Sequence, residues 1–194
     1  AGRWTNWTRF SLIFQPCGTS SMRAEEIARN IRVIVLDCDG VLTDGGLYYD
    51  EQGNVSKRFN VQDGLGIKVA QSQDIHVAVI TGLESEAVKS RIISLGIDDY
   101  FAGYLDKMDC LEQIRVKYGI ELSQMAYVGD DWVDLAPMRA VGLAVAVSNA
   151  QPEVCELAHF VTQRRGGDGA VREVIRFVLK AQGKLASAMA RWKE

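Results

Sequence analysis

The chain has 194 residues, 47% of them hydrophobic and 24% charged, with a formal net charge of −3. That balance fits one globular domain with a full core and argues against wholesale binding of nucleic acid or an anionic membrane; no run approaches the ~18 consecutive apolar residues of a membrane span. The four cysteines, Cys17, Cys38, Cys110 and Cys155, form no CxxC pair, which reads as reduced thiols in a cytoplasmic protein rather than a disulfide framework or a zinc site.

Residues 1–21 differ from the rest: they hold Trp4 and Trp7 and no acidic residue. Leu12-Ile13-Phe14 is too short for a secretory core, and no cleavage pattern follows. Met22 opens a stretch that reads as a natural start. Residues 1–21 are therefore expected to be an extension outside the fold, a docking arm being the alternative, with one domain over 22–194.

The first apolar run, Val33–Leu36, leads into DCDGVLTDGG, which places Asp37, Asp39 and Asp44 within a few positions. Alternating character on both sides of Glu51–Asn54 predicts a β-hairpin, Leu47–Asp50 with Val55–Asn60. Helical character follows at Asp63–Gln73, then an apolar run at Val77–Ile80 ending in Thr81-Gly82. Further helical segments fall at Glu84–Leu95, Lys107–Tyr118 and Asp134–Val141, with apolar runs at Met125–Val128, Leu143–Val147 and Phe160–Thr162. Three helices end in a glycine followed by an apolar residue, at Gly96, Gly119 and Gly142; glycine closes a helix in the left-handed conformation. Wholly apolar runs suit strands buried on both faces. The alternation predicts an α/β fold: a doubly wound, mainly parallel sheet with helices on both faces, plus a protruding hairpin. The C-terminal segment is helical to about Gln182, with Gly183 as its breaker and a small-residue tail over 183–194.

Ligands bind an open parallel sheet beyond the carboxyl ends of its strands. There the first strand delivers Asp37 and Asp39, the second Thr81, and the third Gly129-Asp130-Asp131 with Asp134 beyond, while Lys107 starts a helix. Each signal has a plain reading of its own. The aspartates suit a solvated turn, Thr81 a helix cap, and Lys107 a solvated helix start; Cys38 reads as a core thiol. Together they are more specific. Crowded carboxylates resist joint ionisation unless a cation sits among them, and Mg2+ takes one or two carboxylates plus phosphate oxygens. Donors facing a metal across a pocket describe a phosphate site.

These motifs, DCDGVLTDG, VITG, Lys107 and GDDWVD, resemble the four motifs of haloacid-dehalogenase-like phosphatases. More narrowly, DGVLTDGGLYYDEQGNVSKRFNVQDGLGIK, VGLAVAVSNAQP, RRGGDGAVREV and LKAQGKL resemble the branch that acts on 3-deoxy-D-manno-octulosonate 8-phosphate, across roughly Ile31 to Leu185. The resemblance implies Mg2+-dependent hydrolysis of that ester in lipopolysaccharide precursor synthesis. Asp37 would be the nucleophile forming an aspartyl-phosphate, and Asp39 the general acid and base. Asp37, the Asp39 carbonyl and Asp130 would hold Mg2+, supported by Asp131 and Asp134, with Thr81 and Lys107 on the phosphoryl oxygens. Asp39 argues against a dehalogenase, whose halide needs no acid.

The resemblance also implies sugar-acid contacts by Asn60, Val61, Gln62, Asp63 and Gly64, with Lys68 and Arg91 nearby, beside Asp39 and Lys107. From their pattern alone Lys68 and Arg91 also read as solvated helix charges. Two positions depart from the family: Leu83 stands where arginine is common, and Asp106 where asparagine is. Phosphatases of nine-carbon sugar acid 9-phosphates carry an acidic residue at the latter place, so they are the alternative.

No separate cap domain fits between Asp39 and Thr81 or between Thr81 and Lys107. An open pocket and a hairpin with free edges then predict closure by symmetric association. The family implies a homotetramer with a neighbour's tail reaching the site. A phospho-signalling receiver is the competing class, but its acidic pair comes first and its phosphoacceptor on a middle strand. A catalytically dead scaffold is disfavoured because all four motif positions hold competent residues.

Overall fold

The computed structural model describes residues 18–190 and 192. Residues 1–17, most of the segment expected to be an extension, lie outside the described residues. The first helix, α1, spans Gly18–Ala28 and begins before Met22.

Six parallel strands form one sheet: β1 (Val33–Leu36), β4 (His76–Thr81), β5 (Asp99–Ala102), β6 (Met125–Gly129), β7 (Leu143–Ala146) and β8 (Phe160–Val161), in the order β5-β4-β1-β6-β7-β8. The apolar runs are continuous because each strand feeds two cores. Ile34 and Leu36 of β1 pack on one face with Val77, Val79, Ala126 and Val128. Val33 and Val35 pack on the other with Ala78, Ile80, Met125 and Tyr127. This is the period-two alternation of a strand covered on both sides.

Helices α2 (Val61–Gln71) and α7 (Ala170–Ala181) cover the first face together with α1, and α3 (Glu86–Leu95) joins them. Helices α4 (Met108–Tyr118), α5 (Leu135–Ala140) and α6 (Pro152–Leu157) cover the second. The sheet holds one more strand than the apolar runs predict: β5 is an edge strand whose residues are only partly buried after Asp99, so it lacks the apolar signature. Helix α6, six residues opened by Pro152, is too short to show a period.

Gly96 and Gly119 close α3 and α4 at φ 60° and 59°, in the expected left-handed conformation. Gly142 does not. The residue closing α5 is Val141 in extended backbone, and Gly142 serves close packing instead: a Cβ there would lie 2.1 Å from the Ser123 carbonyl oxygen.

The hairpin is present but short, β2 (Tyr48–Tyr49) paired antiparallel with β3 (Val55–Ser56), with one further bridge between Thr43 and Phe59 at its root. Gly183, at φ 69°, ends α7 as expected, and part of the segment beyond it is helical, α8 (Leu185–Ala190). From β1 the chain runs outward through β4 and β5, then returns to place β6 on the other side of β1. That reversal opens a crevice at the carboxyl ends of β1 and β6.

Candidate active site

Asp37 follows β1 directly, its N–H donating to the Val128 carbonyl of β6. The next turn is tight: the amides of Val41, Leu42 and Thr43 all donate to the Cys38 carbonyl. Gly40 sits at φ 91°, and a Cβ there would fall 2.0 Å from Asp130 Oδ2. Only glycine lets this turn pass beneath the Asp130 carboxylate.

Asp37, Asp130 and Asp134 each offer an oxygen within 4.8 Å of the other two. Lys107 closes the group from the start of α4. Its Nζ donates to Asp37 Oδ1 at 2.6 Å and to Asp134 Oδ1 at 2.7 Å, with the side chain fully buried. Asp134 is the hub. Its Oδ1 also accepts from the Tyr127 hydroxyl at 2.8 Å, and its Oδ2 accepts the amides of Asp130 at 2.9 Å and Asp131 at 3.3 Å. Four donors fix this carboxylate; Asp37 is held by Lys107 through Oδ1 alone, which leaves its Oδ2 and the Asp130 carboxylate to face a ligand.

The electrostatics are those of a site wanting positive charge. Burial pushes the Asp37 carboxyl up to about 7 even though Lys107 opposes the rise. Burial, then Asp37, Asp134 and Asp131, push Asp130 up to about 8. Burial draws Lys107 down, but Asp37 and Asp134 outweigh it and the ammonium is held above its ordinary value. Buried carboxyls that resist ionisation together, offering oxygen donors alone, fit a hard divalent cation. Burial, Asp39 and Asp37 push the Cys38 thiol well up, in keeping with a core thiol and not a nucleophile.

Thr81 ends β4, buried, with its Oγ1 accepting the Leu83 amide at 3.4 Å. Asp131 is exposed and caps the turn after β6, Oδ1 accepting the Trp132 amide at 2.7 Å. Asp106 likewise accepts the Met108 amide at the start of α4. Leu83 is exposed before α3.

The Asn60–Gly64 segment does not join the acidic cluster. Asn60 caps α2, its side chain accepting the Gln62 amide. Val61 and Gln62 are exposed. Asp63 is buried and turned to α7, its two oxygens accepting the amides of Gly169 at 3.2 Å and Arg172 at 2.8 Å. Arg91 lies over Gly64, its Nη2 donating to the Asn60 carbonyl at 3.4 Å. Lys68 is exposed near Gly96.

Three residues at the site carry no sequence signal of that role. Tyr127 lies inside an apolar run and reads as core, although a buried tyrosine needs a partner for its hydroxyl. Asn149 joins two loops, donating to the Gly40 carbonyl at 3.0 Å and accepting the Gly166 amide at 2.6 Å. Lys57, on the returning arm of the hairpin, pairs with both oxygens of Asp39 at 2.7 Å.

A family model described as haloacid dehalogenase-like hydrolase matches residues 101–175. The chain is 45% identical over 161 residues, 83% of its own length and 86% of the relative's, to 3-deoxy-D-manno-octulosonate 8-phosphate phosphatase KdsC of Escherichia coli K12. Its fold is similar to the Moraxella catarrhalis enzyme of that name solved with a magnesium ion, a phosphate ion and a KDO molecule. There the TM-score is 0.85 at 38% identity, covering 87% of this chain and 97% of that one. It is also similar to the cobalt-bound form of the Haemophilus influenzae phosphatase, with a TM-score of 0.80 at 40% identity, covering 84% and 98%.

Proposed function

Because the chain belongs to the 3-deoxy-D-manno-octulosonate 8-phosphate phosphatase family of haloacid-dehalogenase-like hydrolases, we propose that it hydrolyses 3-deoxy-D-manno-octulosonate 8-phosphate to the free sugar acid and phosphate, in lipopolysaccharide precursor synthesis. The observation that carries this reading is the meeting of Asp37, Asp130, Asp134 and Lys107 at the crevice between β1 and β6. A nucleophile, metal-holding carboxylates and a phosphate-binding ammonium are what an in-line displacement at phosphorus requires.

In this reading Asp37 attacks phosphorus and forms an aspartyl-phosphate as the bond to the sugar oxygen breaks. Asp39 gives a proton to that oxygen. It then takes one from the water that hydrolyses the aspartyl-phosphate, restoring both carboxyl groups. Asp37, the Asp39 carbonyl and Asp130 would hold Mg2+, which would supply positive charge against the phosphoryl oxygens. Asp131 and Asp134 support that arrangement, Asp134 by fixing Lys107 and the Asp130 backbone. Thr81 and Lys107 bind the transferring oxygens. Of the sugar-acid contacts expected at Asn60, Val61, Gln62, Asp63, Gly64, Lys68 and Arg91, the proposal keeps Asn60, Val61, Gln62 and Arg91; Asp63 is turned to α7, Gly64 lies under Arg91, and Lys68 lies near Gly96, away from the crevice.

Assembly into a homotetramer belongs to the same proposal, with a neighbour's tail closing the site. Leu47, Tyr48, Tyr49 and Val55 of the hairpin and Val61 beside it are exposed apolar residues, a surface suited to burial between copies. The proposed setting is the cytoplasm, in keeping with reduced Cys38, Cys110 and Cys155. The test is phosphate release by the purified protein from eight- and nine-carbon sugar-acid phosphates, with and without chelator. Metal-dependent turnover preferring the eight-carbon ester is expected. Preference for a nine-carbon ester would transfer the assignment to that substrate class.

A further inference from the structure

Lys57 is a charged residue whose side chain is buried against Asp39. Its side chain is 2% exposed, and its ammonium meets both oxygens of Asp39 at 2.7 Å. A buried ammonium is costly unless well paired, and here the pairing is two-pronged. It fixes the plane of the Asp39 carboxyl as well as its position. Thr43 Oγ1 adds a weaker contact to Asp39 Oδ1 at 3.4 Å.

The hairpin that carries Lys57 is tied to the same turn at its root. Thr43 bridges Phe59, and Asp44 accepts the Tyr48 hydroxyl at 2.9 Å and lies 3.6 Å from Arg58. Lys57 also lines a cleft of about 420 Å3 between the hairpin and the start of α3, whose wall includes Leu47, Tyr49, Leu83 and Ser85. The lysine thus meets Asp39 on one side and this cleft on the other.

We infer that Lys57 is a positioning residue for proton transfer: the hairpin, through this ammonium, aims Asp39 at the departing oxygen. The inference rests on the proposed role of Asp39 as acid and base. The proton balance is unchanged, since Asp39 gives one proton to the leaving alkoxide and regains one from the attacking water. An alkoxide needs that proton and an aryloxide such as 4-nitrophenolate does not, so the effect of Lys57 depends on the leaving group.

The experiment measures kcat and KM of the full chain with Mg2+ on the sugar-acid phosphate and on 4-nitrophenyl phosphate. Lys57→Met is expected to lower the alkyl-to-aryl ratio of kcat by at least about 10-fold, a part of the roughly 10²–10⁴-fold that general acid catalysis supplies, and to change KM for the sugar ester by less than about 3-fold, since a residue acting through Asp39 leaves ground-state binding unchanged. Lys57→Gln, which keeps a donor to Asp39, is expected to fall between wild type and Lys57→Met. Asp39→Asn is run beside them and is expected to lower the ratio at least as far. An unchanged ratio in Lys57→Met, whether both substrates slow equally or neither slows, overturns the inference and makes Lys57 a hairpin anchor. If Asp39→Asn lowers the ratio and Lys57→Met does not, the inference fails while the acid assignment stands. If neither lowers it, the acid assignment fails and takes the inference with it. Should Lys57→Met misfold by circular dichroism, Lys57→Gln decides alone, and a wild-type ratio there overturns the inference.

Discussion

Asp134 organises the acidic cluster without needing to touch a substrate. Both its oxygens are filled by protein donors, from Lys107, Tyr127, and the amides of Asp130 and Asp131. Removing the Tyr127 hydroxyl should loosen this hub. Tyr127→Phe keeps the ring in its core and deletes one charge-assisted bond, a loss of about 1.5–3 kcal/mol, readable as a lower urea midpoint with an unchanged slope. A midpoint equal to that of wild type would mean that Lys107 and the two amides suffice to hold Asp134. The sequence makes Asp37, Asp130, Asp134 and Lys107 legible through their combination and order along the chain, since each alone also suits a solvated turn or helix start. It hides Tyr127 and Lys57 for opposite reasons. A tyrosine in an apolar run passes for core, and a lysine on a short alternating strand passes for a solvated charge; only the fold reveals Asp134 above one and Asp39 beside the other.

At the scale of elements, the loop after β8 is pressed against the turn after β1. A Cβ on Gly166 would come 1.7 Å from the Gly40 carbonyl oxygen, and Asn149 clips the same two loops together. Gly142 makes an equally close approach, but to Ser123 at the opposite end of the sheet. Gly142→Ala and Gly166→Ala are therefore both expected to destabilise the fold by about 2–3 kcal/mol, the cost of forcing backbone apart in a packed structure. They should differ in activity per folded molecule. Gly166→Ala displaces the Asp37–Asp39 turn and should lower kcat at least about 10-fold, since small misplacements of catalytic groups are expensive; Gly142→Ala should leave kcat within about 2-fold, as a distant site does. Equal kcat in the two variants would remove the claim that the glycine-rich loop sets the catalytic turn. Strands buried on both faces announce themselves as apolar runs, which is why β1, β4, β6 and β7 are readable from the sequence. Edge strand β5, with Asp99 tied to Lys117 and Tyr118, has no such pattern. Gly142 shows a further limit, since a glycine after a helix can mark either a left-handed cap or a crowded backbone.

Taken as a whole, the molecule presents an open crevice with a hairpin standing over it. The strand order places β1 and β6 side by side at the reversal point, so residues remote in the chain meet there. That convergence follows from the topology of parallel sheets and is foreseeable once the strands are found. Association is less readable, because it depends on which apolar residues stay exposed: Tyr48, Tyr49 and Val55 look like ordinary strand residues until the fold shows them partly exposed among the described residues. Light scattering at micromolar concentration should give about four times the 21.4 kDa chain mass, as the proposed homotetramer requires, and charged substitutions at Tyr49 and Val55 should lower it. A monomeric mass for the unaltered chain would leave the crevice open and refute the assembly.

The proposed reaction is a metal-dependent displacement at phosphorus on Asp37. Its most direct test is steady-state phosphate release from 3-deoxy-D-manno-octulosonate 8-phosphate by the unaltered chain and by Asp37→Asn, each with Mg2+ and with excess chelator. Sustained turnover is expected only for the unaltered chain with Mg2+, with a fall of at least about 10³-fold in Asp37→Asn, the scale of losing a catalytic nucleophile. Undiminished turnover in Asp37→Asn, or turnover indifferent to chelator, would contradict it.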